Sequence, residues 1–247
     1  MNGHLQPQAT TPLHPELERR ITVSITITDR LAAASGALGT ALVFAGLVLA
    51  NTATAEISNS DPAASIAYAF DTNRTEIRRG VTLALGGVFL VLWYLGWLRG
   101  RVRTAEGKDG WLGAVLFGGG LVGVAGIVGY LGALVAATNS TIISAPESAQ
   151  TLLLATWELG GLIGPAFGAL VGAASLASIR YRLLPQFAQP LAWLGLPLAL
   201  GLGLSGFLGG ALVMLALVWL FAFAVGQLAS PSLQSAATKL APAGQPG

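Results

Sequence analysis

The stretch TWELGGLIGPAFGALVGAAS, residues 156–175, is apolar enough to cross a membrane, yet it contains a carboxylate and a regular series of glycines. The glycines recur at every fourth position, which places them along one face of a helix, and small residues there let a second helix approach closely. We expect the partner to be the third apolar segment, which is also rich in glycine, or a second copy of the chain. The helix-packing glycines are Gly160, Gly164, Gly168 and Gly172.

The composition of the whole chain is that of a membrane protein. Of its 247 residues, 53% are hydrophobic and only 10% are charged, whereas soluble domains carry about 25% charged residues. With a mean hydropathy of +0.68, the chain has too few charged groups to cover its surface in water, so its solvent is the lipid bilayer. The basic residues are scattered between apolar segments and form no basic face, which excludes nucleic-acid binding.

Residue types that many enzymes use are scarce. The chain has no cysteine, which excludes disulfides, thiol catalysis and thiolate metal sites. Its two histidines, His4 and His14, lie in the polar N-terminal segment, so no histidine-based metal site or Ser-His-Asp triad can form inside the membrane. No phosphate-binding loop, zinc-binding helix motif or nucleophile elbow occurs. We predict a protein that is not an enzyme and has no cofactor or metal.

Six segments have the length and composition of membrane spans. A helix that crosses the roughly 30 Å of hydrocarbon needs about 20 mainly apolar residues. We predict an all-α bundle of six transmembrane helices over residues 30–228, with an external loop at 51–79. Flexible cytoplasmic segments are predicted at 1–29 and 229–247, and a short turn near Ser205 divides the last apolar block. The predicted spans are 31–50, 80–98, 111–137, 151–178, 188–204 and 208–228.

The distribution of lysine and arginine predicts that both termini face the cytoplasm, because basic residues stay on that side. Ten of the 13 basic residues lie in the terminal segments or in the loops after the second and fourth spans, and three lie in the external loop. We expect a multi-pass protein of the plasma (cell) membrane. The alternative of a cleaved signal rests on Ala53-Thr54-Ala55. A retained anchor is favoured, since the apolar run is longer than the roughly 7 to 15 residues of a signal.

The three basic residues of the external loop, Arg74, Arg78 and Arg79, come just before the second span. A short helix is predicted ahead of them, with Ser60 as its N-cap and Pro62 in its first turn, lying along the membrane surface. The arginines would extend towards lipid phosphates and are candidate contacts for anionic headgroups. The alternative is an anionic ligand held by the three guanidinium groups.

Three stretches carry a resemblance to a known group of proteins. They are DPAASIAYAFDTNRTEIRRG (61–80), FLVLWYLGWLRGRVR (89–103) and LPQFAQPLAWLGLPLAL (184–200). Over roughly residues 30–228 the chain resembles uncharacterised bacterial membrane proteins of the actinobacterial type, which implies six spans and no particular activity. The residues that match its motifs are Asn73 and Arg74 at the end of a short external helix, then Leu184, Pro185, Phe187 and residues 191–195.

Glu158 lies seven residues inside the fourth predicted span, which starts at 151. A charge within hydrocarbon is costly, so intramembrane acids are paired, protonated or face water. Three interpretations remain open: a structural hydrogen bond to a Tyr, a Thr or the backbone, an ion pair with Arg78 or Arg79, and a proton or substrate site that faces a cavity. The polar groups that the other spans offer are chiefly Thr40, Thr82, Tyr94, Tyr130 and Ser205.

We therefore expect a non-enzymatic membrane protein, an accessory or partner-binding subunit that contacts lipid and either a second copy of itself or another membrane protein. In this interpretation Glu158 is a buried polar contact. The alternative is a small permease or proton-linked carrier that uses Glu158. The surroundings of this side chain distinguish the two hypotheses, because a cavity that reaches it favours transport and an enclosed, hydrogen-bonded carboxylate favours a structural role.

Overall fold

The computed structural model describes residues 15–107, 110–204 and 209–229, and the regular elements in these ranges are all helices. Six of them are long and apolar enough to cross a membrane, which confirms the predicted all-α fold with six spans. The elements are α1 (Pro15–Thr52), α2 (Ala63–Thr72), α3 (Arg74–Glu106), α4 (Leu112–Ala137), α5 (Ser140–Ile143), α6 (Pro146–Tyr181), a 3-10 turn (Gln186–Ala188), α7 (Gln189–Leu204) and α8 (Gly209–Leu228).

The helices extend beyond the apolar segments that predicted them. The helix α3 has 33 residues and α6 has 36, because polar residues next to an apolar run continue a helix until a breaker ends it. For α3 that breaker is Gly107, whose φ of 81° suits glycine. The predicted flexible segment 1–29 differs from the structure over residues 15–29, which belong to α1. The predicted turn at Ser205 and the tail from 230 onwards lie outside the described residues, as do residues 1–14.

Five spanning helices, α1, α3, α4, α6 and α8, form a closed ring, and α7 packs outside it against α6 and α8. All five ring helices contribute apolar side chains to the centre, including Val43, Leu95, Ile127, Phe167 and Leu220. We call the end of the bundle that carries α2 and α5 the α2 end, and the end with the connection between α3 and α4 the opposite end. Which of these ends faces the cytoplasm stays a prediction.

The helices α1 and α3 make the most extensive contact, and glycines from both helices meet there. Gly39 faces Gly87 and Gly46 faces Gly80, so the two helices run antiparallel. A Cβ atom on Gly87 would lie 2.5 Å from the carbonyl oxygen of Gly39, and one on Gly80 would lie 2.7 Å from that of Gly46. The backbones therefore touch at two levels, which is the close packing that holds helices together in lipid.

The short helix α2 packs against α6, and its position along the membrane surface stays a prediction. Its Ile66 and Phe70 side chains are fully buried. The contact with α6 thus removes them from water as completely as lipid would. The predicted N-cap, Ser60, is wrong: Pro62 occupies that position. Proline is suited to a helix start, since the N–H that it lacks would have no partner there.

Candidate functional site

A cavity of about 460 Å³ opens within the α2 end of the bundle. It lies between the C-terminal turns of α1, the C-terminal half of α4, the N-terminal half of α6 and the start of α8. Its walls are apolar for the most part, with a few polar groups, which is the usual character of a small-molecule site. Its walls include Asn51, Tyr130, Thr156, Trp157, Glu158 and Gly160.

Glu158 contributes the carboxylate of this cavity. The side chain is exposed, and within the described part of the chain it forms neither a hydrogen bond nor an ion pair. The neighbouring Thr156 hydroxyl donates to the Leu153 carbonyl oxygen at 2.6 Å and is thus satisfied within α6. The expectation that Glu158 is a buried polar contact is therefore wrong, because its side chain is exposed at the cavity.

The proposed ion pair of Glu158 with an arginine does not form either. Arg78 Nε donates to Thr138 Oγ1 at 3.1 Å, and Arg79 Nη1 lies 3.5 Å from Glu76 Oε1. Both arginines lie in the first turns of α3, whereas the cavity is bounded by α1, α4, α6 and α8. Of the three interpretations of Glu158, the one with the carboxylate at a cavity matches its position.

A hydrogen bond crosses the cavity wall between α1 and α4, where the Tyr130 hydroxyl donates to Asn51 Oδ1. The sequence marks Tyr130 as a polar residue of the third span, but it assigns Asn51 to the external loop. Because α1 continues to Thr52, Asn51 instead points its amide from the last turn of a spanning helix. A polar residue directly after an apolar run is the signal that could have found it.

Below the cavity, the centre of the ring is dry. The space left there is only about 10 Å³ and is lined by apolar side chains and Gly120. A water molecule needs at least about 10–15 Å³ together with polar partners. This remaining space is therefore too small and too apolar to hold water.

The four glycines that recur at every fourth position of α6 do not share one partner. Gly168 contacts α7, where a Cβ atom would lie 2.9 Å from the Ala199 carbonyl oxygen, and Gly172 faces the same residue. Gly164 is buried, while a Cβ atom on Gly160 would meet nothing within 4 Å. The expected pairing of these glycines with the third span is wrong, because α4 packs on a different face of α6.

The glycines of α4 do pack against α6, but on the face that carries Phe167 and Leu170. A Cβ atom on Gly119 would lie 2.8 Å from the Ala166 carbonyl oxygen, and one on Gly123 would lie 2.7 Å from the Phe167 ring. The helices α4 and α6 are thus in close contact, as expected. Only the face of α6 that makes the contact differs.

A second polar cluster lies at the opposite end, where it joins α1, α3 and α8. Trp97 Nε1 donates to Asp29 Oδ1 at 2.7 Å, and Arg101 Nη1 donates to Gln227 Oε1. The Arg101 guanidinium also lies 5.0 Å from the centre of the Trp97 ring, a cation–π distance. We call the cluster of Asp29, Trp97, Arg101 and Gln227 the polar ring, as distinct from the ring of helices. Its carboxylate is partnered, in contrast to that of Glu158.

Comparison with protein-family models, curated proteins and solved structures finds no match to this chain. The resemblance to the actinobacterial type of membrane protein therefore stays a prediction. Within the described residues, His, Cys, Asp and Glu side chains do not assemble in groups of three or more that could hold a metal ion. The fold and the cavity define a multi-pass membrane protein whose cavity, among the described residues, is lined by one carboxylate, Glu158, without a partner.

Proposed function

We propose that this protein is a small permease or proton-linked carrier of the bacterial cell membrane that binds a proton or a small cation at Glu158. The observation that carries the proposal is the carboxylate without a partner in a cavity of about 460 Å³. A carboxylate near hydrocarbon is unfavourable when charged and alone, and a proton or a bound cation removes that cost.

The other walls of the cavity suit a cation. Trp157 lines the cavity and is half-exposed, and an indole is the aromatic group best suited to a cation–π contact. The side-chain oxygen of Asn51, Oδ1, accepts from Tyr130 and has a second lone pair for a bound cation. Together these groups offer negative or partly negative atoms from α1 and α6. Small ammonium compounds and protons fit this chemistry better than anions do.

Transport also requires a second conformation. The apolar centre between the cavity and the opposite end must open while the cavity closes, since a carrier exposes its site to one side at a time. The polar ring at the opposite end ties α1, α3 and α8 together in the present conformation. The proposal therefore expects the bonds of this ring to break when the site opens towards that end.

The test is a flux assay in proteoliposomes with the purified full chain. Wild type is compared with Glu158→Gln and with Glu147→Gln, which removes an exposed carboxylate from the same helix outside the cavity. Proton movement is followed with an enclosed pH dye, and tetraethylammonium serves as the organic cation. We expect flux in wild type and in the Glu147 variant and its loss in the Glu158 variant. Equal flux in all three proteins would reject the role of Glu158.

A second candidate is the accessory or partner-binding subunit, which is supported by the dry centre of the ring. A protein that only binds a partner needs no path, and the residual space of about 10 Å³ provides none. This hypothesis expects no flux of either probe in wild type, and it expects Glu158→Gln to unfold at the same temperature as wild type, because the carboxylate has no hydrogen bond to lose. Native mass spectrometry of the purified chain would then show whether the partner is a second copy.

The predicted orientation, with both termini in the cytoplasm, has a direct test because the chain has no cysteine. Single variants Glu56→Cys and Thr104→Cys place one thiol at each end of the bundle, both at exposed positions. A membrane-impermeant maleimide added to intact cells should label the first variant only. Labelling of the second variant alone would invert the assignment.

A further inference from the structure

A groove of about 630 Å³ runs along the outer face of α3 at the α2 end, on the opposite side of this helix from the ring centre. Its upper part holds Arg74, Arg78 and Arg79, and its lower part is formed by Leu42 of α1 with Leu83 and Gly86 of α3. We call it the arginine groove. It is separate from the Glu158 cavity, and its argument does not rest on the proposed function.

The upper part of the groove is positively charged and rich in free donors. Arg74 forms no hydrogen bond or ion pair within the described part of the chain. Arg78 uses Nε for Thr138 and keeps its terminal nitrogens free, while the contact of Arg79 with Glu76 is long, at 3.5 Å. No carboxylate is among the described residues that line the groove. Guanidinium groups in this arrangement match phosphate oxygens.

The lower part of the groove is apolar and open. Gly86 lies seven residues beyond Arg79, which is about 10 Å along the helix at 1.5 Å per residue. A Cβ atom on Gly86 would meet nothing within 4 Å, so this part of the groove has open space for an acyl chain. Leu83, next to it, is 37% exposed. The groove thus changes from cationic to apolar over the distance that separates a lipid phosphate from the first part of its acyl chain.

We propose that the arginine groove binds an anionic phospholipid, with its phosphate and headgroup on the three arginines and one acyl chain over Gly86. A soluble phosphate would use only the upper part and would gain nothing from the apolar lower part. Snorkelling arginines alone would require no groove between α1 and α3. The combination of both parts in one groove is what favours a lipid as the occupant.

The experiment is native mass spectrometry of the purified full chain in detergent, with equimolar dioleoyl phosphatidylglycerol and dioleoyl phosphatidylcholine. The charge variant combines Arg74→Gln with Arg79→Gln and keeps the contact of Arg78 with Thr138. Its control combines Arg99→Gln with Arg103→Gln, two exposed arginines of the same helix at the opposite end. The acyl-chain variant is Gly86→Leu, and its control is Gly96→Leu, where a Cβ atom would also meet nothing within 4 Å.

We expect wild type to retain phosphatidylglycerol in preference to phosphatidylcholine. The charge variant should lower this preference by about 10- to 30-fold, since each arginine near anionic lipid contributes a factor of about five. Gly86→Leu should lower the retention of phosphatidylglycerol without any change in charge. Both controls should behave as wild type.

Three results would overturn the proposal. The first is equal retention of the two lipids by wild type, and the second is an equal loss of preference in the control at the opposite end. The third is displacement of phosphatidylglycerol by millimolar glycerol 3-phosphate, which would identify a site for a soluble anion. If the charge variant fails to fold, the comparison of Gly86→Leu with Gly96→Leu tests the proposal. Equal retention of phosphatidylglycerol by these two variants would reject the arginine groove as its binding site.

Discussion

The helix pair α1 and α3 and the helix pair α6 and α7 both use glycine for close packing, but with different outcomes. Between α1 and α3, Gly39 meets Gly87 and Gly46 meets Gly80, so the backbones touch at two levels. Along α6, four glycines recur at every fourth residue, yet only Gly168 and Gly172 are known to contact α7, and Gly160 faces open space. The number of glycines in a helix therefore does not decide where that helix packs most closely.

The difference follows from the angular period of the helix. Residues turn by about 100° each, so a spacing of seven brings a side chain back to within about 20° of its starting direction. A spacing of four adds about 40° at each step, so Gly160 and Gly172 point about 120° apart. The glycines of α1 and α3 therefore stay on one stripe, whereas those of α6 wind from the cavity to the contact with α7.

The strongest test of this comparison is Gly87→Ala, for which we expect the largest loss of stability. The added methyl group would lie 2.5 Å from the Gly39 carbonyl oxygen, which belongs to the backbone and cannot rotate away. The two helices must separate, at a cost of roughly 2–3 kcal/mol, as in an overpacked core. Thermal unfolding in detergent, followed by tryptophan fluorescence, measures it. A midpoint equal to that of wild type would show that α1 and α3 are not in backbone contact.

The matching change on α6, Gly168→Ala, should have a smaller effect. Its methyl group would lie 2.9 Å from the Ala199 carbonyl oxygen of α7. Because α7 lies outside the ring, it can move outwards, and we expect a loss of about 1 kcal/mol. The same unfolding assay applies. The ranking of the two helix pairs would have to be reversed if this variant were less stable than Gly87→Ala.

A third change concerns the hydrogen bond between Tyr130 and Asn51 at the cavity wall. Tyr130→Phe removes the donor to Asn51 and should cost about 0.5–1.5 kcal/mol, the usual net contribution of one hydrogen bond. The helices α1 and α4 would keep their apolar contacts, so the fold should persist. Asn51→Ala should lower stability by a similar amount, and the double variant should lose no more than either single variant. If the double variant lost as much stability as the two single variants together, the two side chains would not be hydrogen-bonded.

The smallest effect is expected for Gly160→Ala, the third glycine of the comparison. A methyl group there meets nothing within 4 Å, and alanine favours a helix over glycine. We expect stability within about 0.5 kcal/mol of wild type, on either side. Because Gly160 lines the cavity, the larger change Gly160→Leu should instead reduce cation flux at unchanged stability. A marked loss of stability in the alanine variant would mean that this face of α6 is occupied.

Asp29 and Glu158, one carboxylate from each end of the bundle, show a related difference. Asp29 accepts from Trp97 at 2.7 Å and lies in the polar ring with Arg101, so its charge is compensated within the protein. Glu158 has no such partner in the described residues. In the sequence, Glu158 lies within an apolar run, whereas Asp29 lies at the edge of one. The position of an acidic residue relative to an apolar run therefore identifies Glu158 as unusual but gives no signal for Asp29.

The sequence by itself determined the class of this protein and its six spans. Apolar runs of about 20 residues can only be helices across a membrane, because every backbone polar group must find its partner within the segment. The same rule placed Glu158 inside a span and separated the last two helices. These features depend on local composition, which the sequence contains in full.

Only the tertiary structure decided which surfaces meet. The contact of Gly39 with Gly87, the hydrogen bond of Tyr130 to Asn51, and the polar ring each join residues far apart in the chain. In lipid all apolar faces are equally soluble, so hydropathy carries little information about which face turns inwards. The choice depends on shape and on a few polar contacts, and these exist only once the helices have assembled.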